Sequence, residues 1–295
     1  MLSICIPVYN FDVRELTNQL CGQASLMNAD VEILIYDDDS APLYKQLNEQ
    51  IANCKNVKYK ALAQNIGRSA IRNLLADEAA GTHILFVDAD SLPEDENFLK
   101  RYLESADHPV VCGGTMYEKT PPDNLSAMLR WVYGRKREQL TASVRSKKIF
   151  SITSNNFMIQ REVVVRYPFR ESIREYGHED TVLGFDLVSA GIAIRHIDNF
   201  VIHIGLESSA QYLEKTRTSI KNLLHISHVV VTSPDFSGGY GLLKMKNKLE
   251  KLKLSRIAGW LFKKNVRRLE QNLTGANPKL WIFDLYRIGF MCSLE

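Results

Sequence analysis

Asp88 and Asp90 flank Ala89 directly after the apolar run His83 to Val87. In an extended segment, residues two apart face the same way. Two carboxylates so placed can share one hard divalent cation, which prefers oxygen ligands and can in turn hold a diphosphate. The other reading is a strand-end turn with two solvated aspartates, because turns favour Asp. Asp37, Asp38 and Asp39 form a second acidic cluster. Three adjacent carboxylates repel one another, so a cation or several donors must offset them. A nucleobase N–H and ribose hydroxyls are such donors, and so are the groups of an Asx-type turn.

Three further groups carry chemistry. In the segment from Asn65 to Asn73, Gly67 permits unusual backbone and Ser69 is placed to cap a following helix. Arg72 then falls on the first turns, within reach of an acidic cluster or a phosphate unless it is an ordinary surface arginine. Gly177-His178-Glu179-Asp180 puts two acids just ahead of a helical stretch. There they either favour the helix dipole or serve as a general base. His203 sits in the alternating run Val201 to Ile204. A lone strand histidine is commonly packed, yet neutral imidazole makes a good third ligand beside two carboxylates.

The elements that must position these residues alternate. Apolar strand patterns span residues 2–8, 31–36, 57–63, 83–87 and 110–112, with helical spacing over 14–27, 43–52 and 70–79. That alternation predicts a mostly parallel sheet covered on both faces. Ligands bind beyond the carboxyl ends of such strands. Pro7, Tyr9 and Asn10, then Asp37 to Ser40, then Asp88 to Ser91, all fall at those ends. Residues 116–150 are less regular. Further on come helices over 161–166 and 181–190, a strand pair around 192–204, and a helical pattern from about residue 210. The expected organisation is a ligand-binding half over 1–115, a second half of the same domain over 116–209, and a basic helical region over 210–295.

Bulk composition narrows the classes. Of the 295 residues, 45% are hydrophobic and 24% charged, as in a folded globular chain. A net charge of +3 gives no argument for nucleic acid, and none is expected as a partner. The five cysteines, at 5, 21, 54, 112 and 292, form no Cys-x-x-Cys pair. Neither a zinc site nor a disulfide framework is expected, and unpaired thiols fit the cytoplasm. The N-terminal run MLSICIPVYN lacks the basic start of a signal peptide. No apolar run reaches the roughly 18–20 residues of a spanning helix.

Lys244 to Arg268 holds ten Lys or Arg against one acid, Glu250, leaving the rest of the chain at a net −6. Leu249, Leu252, Leu254, Ile257, Trp260 and Leu261 interleave at helical spacing. Two readings stand: an amphipathic helix on an anionic membrane surface, or a helix packing its apolar stripe on the core.

In order and spacing, these motifs resemble the family 2 glycosyltransferases of GT-A fold. Ser3 to Asn10 looks like that family's first strand, and Ile35 to Ser40 like its DDGS element, with Asp39 in place of glycine. Asn65 to Asn73 is similar to its N-x-G-x-x-x-A-R-N element, with Ile71 in place of alanine. Phe86 to Asp90 resembles its DXD motif, and Ser154 to Phe157 and Glu179-Asp180 its later motifs. The resemblance covers residues 2–205. It implies transfer of a sugar from a nucleoside diphosphate, uridine by family habit, to a hydroxyl acceptor, with inversion. It implies that Asp38 and its neighbours hold base and ribose, and that Asp88 and Asp90 bind Mg²⁺ or Mn²⁺ with His203 completing the site. Asp180 would be the base, with Glu179 as second choice. The Gln-x-x-Arg-Trp motif of the processive synthases is missing from Thr181 to Val188, so one sugar is expected to move per acceptor. The expected location is cytoplasmic, with attachment to the inner face of the plasma membrane and a glycan or lipid-linked acceptor. Competing classes are a nucleotidyltransferase on a similar fold and a non-catalytic nucleotide- or carbohydrate-binding protein. An aspartate-nucleophile phosphatase is disfavoured because Ser91 stands where its threonine belongs.

Overall fold

The computed structural model describes every residue except Asn28, Cys54, Ile149, Ser151 and Glu295, and only the backbone of Ala52 and Asn53. The expectation of a reduced thiol at Cys54 therefore lies outside the described residues. Two compact units divide the chain. The first comprises Met1–Tyr117, Gln139–Arg174 and Glu179–Gly205, and the second Glu118–Glu138, Glu175–His178 and Leu206–Glu295.

The strands are β1 (Leu2–Val8), β2 (Val31–Asp37), β3 (Val57–Ala61), β4 (His83–Val87), β5 (Ser91–Pro93), β6 (Val110–Cys112), β7 (Thr115–Met116), β8 (Asn156–Gln160), β9 (Ile194–His196) and β10 (Val201–His203). The helices are α1 (Arg14–Ser25), α2 (Pro42–Glu49), α3 (Arg68–Glu78), α4 (Phe98–Leu103), α5 (Met128–Tyr133), α6 (Ala142–Arg145), α7 (Arg161–Arg166) and α8 (Glu179–Ser189), then α9 (Ser209–His225), α10 (Pro234–Gly239), α11 (Gly241–Lys251), α12 (Ser255–Leu273) and α13 (Leu280–Cys292).

The expected mostly parallel α/β architecture is what the first unit has. Seven strands run in the order β3-β2-β1-β4-β8-β6-β9, and only β8 is antiparallel to its neighbours. Alternate residues of β1 serve opposite faces. Leu2, Ile4, Ile6 and Val8 pack with Leu16 and Leu20 of α1, while Cys5 packs with Ile71 and Leu75 of α3. Each such side chain stabilises the fold by about 1.5–3 kcal/mol when fully buried. That anchorage sets the roll of α3 and turns Arg72, between Ile71 and Leu75, inward. Cys5 and Cys112 are buried free thiols, and burial holds Cys112 up at about 12, so neither is a nucleophile.

Two expectations are corrected here. Residues 192–204 do not form a strand pair: β9 joins β6 in the large sheet, whereas β10 joins a separate sheet of order β5-β10-β7. The break between them is Asn199, fully buried, whose carbonyl accepts from Asn156 and whose amide donates to Phe98 O. Ser69 is not a helix cap either. The N-cap position is Gly67, at φ 89°, and Ser69 Oγ instead donates to Ile173 O at 3.5 Å. The helix therefore starts two residues earlier than a serine cap would place it, at Arg68.

In the second unit, α5, α9, α12 and α13 bury Leu129, Leu213, Phe262, Leu273, Phe283 and Tyr286 together. The pair α12–α13 approaches closely at glycines: a Cβ on Gly259 would lie 2.6 Å from Cys292 O. The helical C-terminal region expected from about residue 210 is thus present. Among the described residues, no helix is long and apolar enough to cross a membrane.

Candidate active site

The carboxyl ends of β1, β2 and β4 carry the residues singled out above. Each member of the Asp37-Asp38-Asp39 cluster has its own internal partner. Asp37, fully buried, accepts from Ser40 N at 2.6 Å and from Tyr59 Oη at 3.1 Å. Asp38 accepts from Ile66 N at 2.7 Å and Gly67 N at 3.0 Å. Burial pushes the Asp38 carboxyl up, against the pull of those two N–H groups. Asp39, at φ 64°, pairs with Lys45 at 2.6 Å. Local donors thus offset the repulsion that the sequence posed. Asn65 Nδ2 donates to Asp38 O at 2.9 Å, so the 65–67 loop is strapped to the end of β2. Asn10, at φ 52°, is joined to the same region through Ser40 Oγ and Ala41 N. Tyr9 is exposed, and Pro7, opposite Tyr36 in register, is half-buried.

Arg72 is the hub of the site and no surface arginine: its side chain is 3% exposed. Nη2 donates to Asp88 Oδ1 at 2.7 Å, and Nη1 lies 3.5 Å from Glu179 Oε1. Burial opposes the charge on Arg72, but Asp88 and Glu179 outweigh it and hold its pKa up. Among the described residues, its Nε is buried without a hydrogen-bond partner. Such an orphan costs about 1–3 kcal/mol, a cost tolerated where side-chain placement serves function.

Asp88-Ala89-Asp90 is a turn, not an extended segment. Ser91 N donates to Asp88 O at 3.1 Å, and Asp88 N donates to Asn155 O at 3.2 Å. The turn carries β4 into β5, so the two carboxylates face different partners. Asp88 faces Arg72, while Asp90 Oδ1 lies 3.6 Å from His203 Nδ1. The second sheet makes that approach: β5 and β10 pair with His203 opposite Ser91, and Ile204 N donates to Asp90 O at 2.9 Å. His203 rests edge-on against Tyr117. Two carboxylates and an imidazole are a suitable donor set for Mn²⁺ or Mg²⁺. Asp90 and His203 are adjacent, whereas Asp88 is held at Arg72. Among the described residues, no three acidic, His or Cys side chains converge as a formed metal cage.

Glu179 and Asp180 stand in the first turn of α8, not ahead of it. Glu179 is buried against Arg72. Asp180 is half-buried and accepts from Thr181 N at 2.6 Å. Burial and the neighbouring Glu179 raise its pKa to about 6, with Thr181 and Arg72 pulling the other way. A carboxylate poised there suits general-base work near neutral pH.

Some structural supports were not legible as such. Asn73 ties α3 to the loop after α7 through Phe169 O and Phe169 N. Asn156 is fully buried and bonds Gly114 O, Asn199 O and Tyr102 Oη. Tyr59 could have been found from the alternation Val57, Tyr59, Ala61 on β3. A depression of the first unit, about 930 Å³, is lined by residues that include Asn10, Asp12, Arg14, Tyr44 and Ile204, with neither Asp90 nor Asp180 among them.

This unit therefore has the mixed α/β fold of GT-A type, with acidic and basic groups gathered at the strand ends. A family model described as glycosyl transferase family 2 matches residues 3–167, and the chain belongs to that family. Over 117 residues the chain is 26% identical to "Putative glycosyltransferase CsbB" of Bacillus subtilis (strain 168). That match covers 38% of this chain and 36% of CsbB, so the chain spans about a third of that relative's length. Among solved structures, the mannosyltransferase PcManGT from Pyrobaculum calidifontis, in complex with GDP-Man and Mn²⁺, aligns over 100% of this chain and 80% of its own at a TM-score of 0.60 and 14% identity. S. aureus TarS 1–349 in complex with UDP aligns over 98% and 90%, at 0.52 and 17%. A longer TarS chain is spanned to 42%.

Proposed function

We propose that the chain is a glycosyltransferase that moves one sugar from a nucleoside-diphosphate donor, UDP-linked, to a hydroxyl acceptor in glycan or polysaccharide biosynthesis. The observation that carries this reading is the chain of contacts from Glu179, in the first turn of α8, through Arg72 on α3 to Asp88 at the end of β4, with Asp90 and His203 alongside, all in the first unit. Pro7, Tyr9, Asn10, Asp37, Asp38, Asn65 and Gly67 frame the nucleoside; Asp38 accepts from base and ribose, while buried Asp37 holds Ser40 N and Tyr59 in place behind it. Asp180 takes the acceptor's hydroxyl proton while that oxygen bonds to the anomeric carbon. The bond from that carbon to the diphosphate breaks on the opposite face, so the configuration inverts. Glu179 stays paired with Arg72 and keeps the proton on Asp180. A divalent cation held by Asp90 and His203, with Asp88, would neutralise charge on the departing diphosphate.

The test is release of nucleoside diphosphate from a panel of UDP-, GDP- and dTDP-sugars, with and without Mn²⁺. Asp90→Asn is expected to lower metal-dependent release by at least about 100-fold, the scale of losing one transition-state stabiliser, without shifting the unfolding transition. Unchanged release in that variant would remove the metal assignment.

The proposed location is the cytoplasmic face of the plasma membrane, with the chain attached peripherally. Between the two readings of the basic segment, exposure favours the membrane surface. Phe262 and Gly259 face the packed side of α12, while Ile257, Trp260 and Leu261, at i, i+3 and i+4, are 53%, 53% and 48% exposed. Lys264 lies over the Trp260 ring at 4.0 Å. Each basic residue near an anionic surface contributes about 1 kcal/mol. Lys263→Gln with Lys264→Gln should therefore weaken binding to phosphatidylglycerol vesicles by about 30-fold in co-sedimentation, by that same increment. Binding that ignores both salt and these changes would exclude the attachment.

A further inference from the structure

The second unit contains a cavity of about 160 Å³ that the reaction above does not use. A cavity of roughly that size holds one six-membered ring. Its walls are aromatic. Tyr212 stacks on Phe283 with ring centroids 5.6 Å apart, and Tyr133 meets Phe283 edge-on at 5.4 Å. Tyr240 and His178 also line it, and their rings meet edge-on at 5.2 Å. Aromatic faces of this kind pack against the C–H faces of a sugar ring, and tyrosine hydroxyls meet its polar rim. Burial raises the pKa of both Tyr133 and Tyr212, so their hydroxyls remain protonated donors.

The cations lining the cavity are unequal. Arg130 is paired with Glu138 at 2.9 Å. Arg287 is half-buried, lies over Phe283, and has Asp284 one turn back, but Asp284 is paired with Arg137 at 2.9 Å. Among the described residues, Arg287 makes no ion pair or hydrogen bond, and neither do the hydroxyls of Tyr133 and Tyr212. A lining guanidinium without a carboxylate is a demand for an anion, met best by a planar carboxylate or a phosphate.

The fold also strains to build one wall. Gly177 has φ 93° and His178 has φ 75°. A non-glycine residue held there costs about 1–3 kcal/mol unless its surroundings over-determine it. Here they do: Asn222 Nδ2 donates to Gly177 O at 2.6 Å and to Glu175 O at 3.2 Å, and His178 Nε2 lies 2.8 Å from Ser219 Oγ. In sequence, this run leads directly into Glu179 and Asp180.

We infer that this cavity is a binding site for a single acidic sugar unit, a pyranose bearing a carboxylate or a phosphate, with Arg287 taking the anion and the tyrosines the ring. That the unit belongs to the acceptor rests on the glycosyltransferase reading; the binding itself does not.

Ligand-observed NMR on the full chain, with no donor present, tests the binding. The probes are glucuronic acid, glucose 6-phosphate, glucose and inorganic phosphate. The two acidic sugars are expected to bind at least tenfold more tightly than either glucose or phosphate, a ratio worth about 1.4 kcal/mol. Which of the two binds more tightly assigns carboxylate or phosphate as the anion. Arg287→Gln should abolish that preference, while Arg287→Lys restores part of it. His178→Gly, which relieves the backbone and removes the ring, should weaken both acidic sugars without lowering the unfolding temperature. Equal binding of all four probes, phosphate binding as tightly as the sugar phosphate, or an Arg287→Gln variant that keeps its preference would each overturn the inference. Nucleotide release from the donor panel without acceptor reports on the transfer reading separately. A chain that binds acidic sugars yet releases no nucleotide keeps this site and loses that function.

Discussion

Asp180→Asn is expected to lower turnover by about 10³-fold, within the usual span of a positioned general base, while donor binding changes little. Asparagine preserves shape and the bond from Thr181 N but cannot take a proton. The parent's rate should fall as pH drops through about 6, because the active form is the carboxylate and burial with Glu179 holds its pKa there. In the variant that acid limb should vanish. Stability moves the other way. The folded pKa lies above the ordinary carboxylate value, so the native state holds its proton more tightly than the unfolded chain. The charged form therefore costs stability as pH rises from the ordinary carboxylate value to about 6, and above that the loss stays constant. Asp180→Asn should accordingly unfold at no lower temperature than the parent at neutral pH. Scanning calorimetry beside a pH–rate profile distinguishes this from a structural role, in which stability and donor binding would fall together with rate.

Arg72→Met should be strongly destabilising. It would leave Asp88 and the buried Glu179 without their shared cation, and removing one member of a buried pair costs about 3–5 kcal/mol. Urea unfolding should show that loss in the midpoint. A second readout separates function from folding. Arg72 pulls the Asp180 pKa down, so its removal should move the acid limb of the rate profile to higher pH. A variant with parental stability and an unmoved limb would show that Arg72 does not couple the two acids to Asp88. Arg72→Lys should rescue only part of the effect, since an ammonium cannot present two separate nitrogens to Asp88 and Glu179.

Much of the first unit was legible in the sequence. The strands β1, β2, β4 and β6 fall where continuous apolar runs end in Asn, Asp or Gly, because a sheet covered on both faces demands such runs. Strand β8 was harder to read, since five residues beginning at Asn156 carry no alternation and pair antiparallel between β4 and β6. The separation of β9 from β10 was not readable at all. It depends on Asn199 bonding to Phe98 and Asn156, residues 101 and 43 positions away.

For Asp88 and Asp90, the sequence by itself determined that two carboxylates would stand at the end of a buried strand, and the ordered motifs determined the family. Only tertiary structure decided where each carboxylate points. The turn from β4 into β5 separates them, Arg72 from α3 claims one, and the β5–β10 register brings His203 to the other. The same holds for Arg72 and for the stripe on α12. Residue type and spacing define which side chains share a helix face. Whether that face is buried depends on what packs against it, which residue type and spacing do not state.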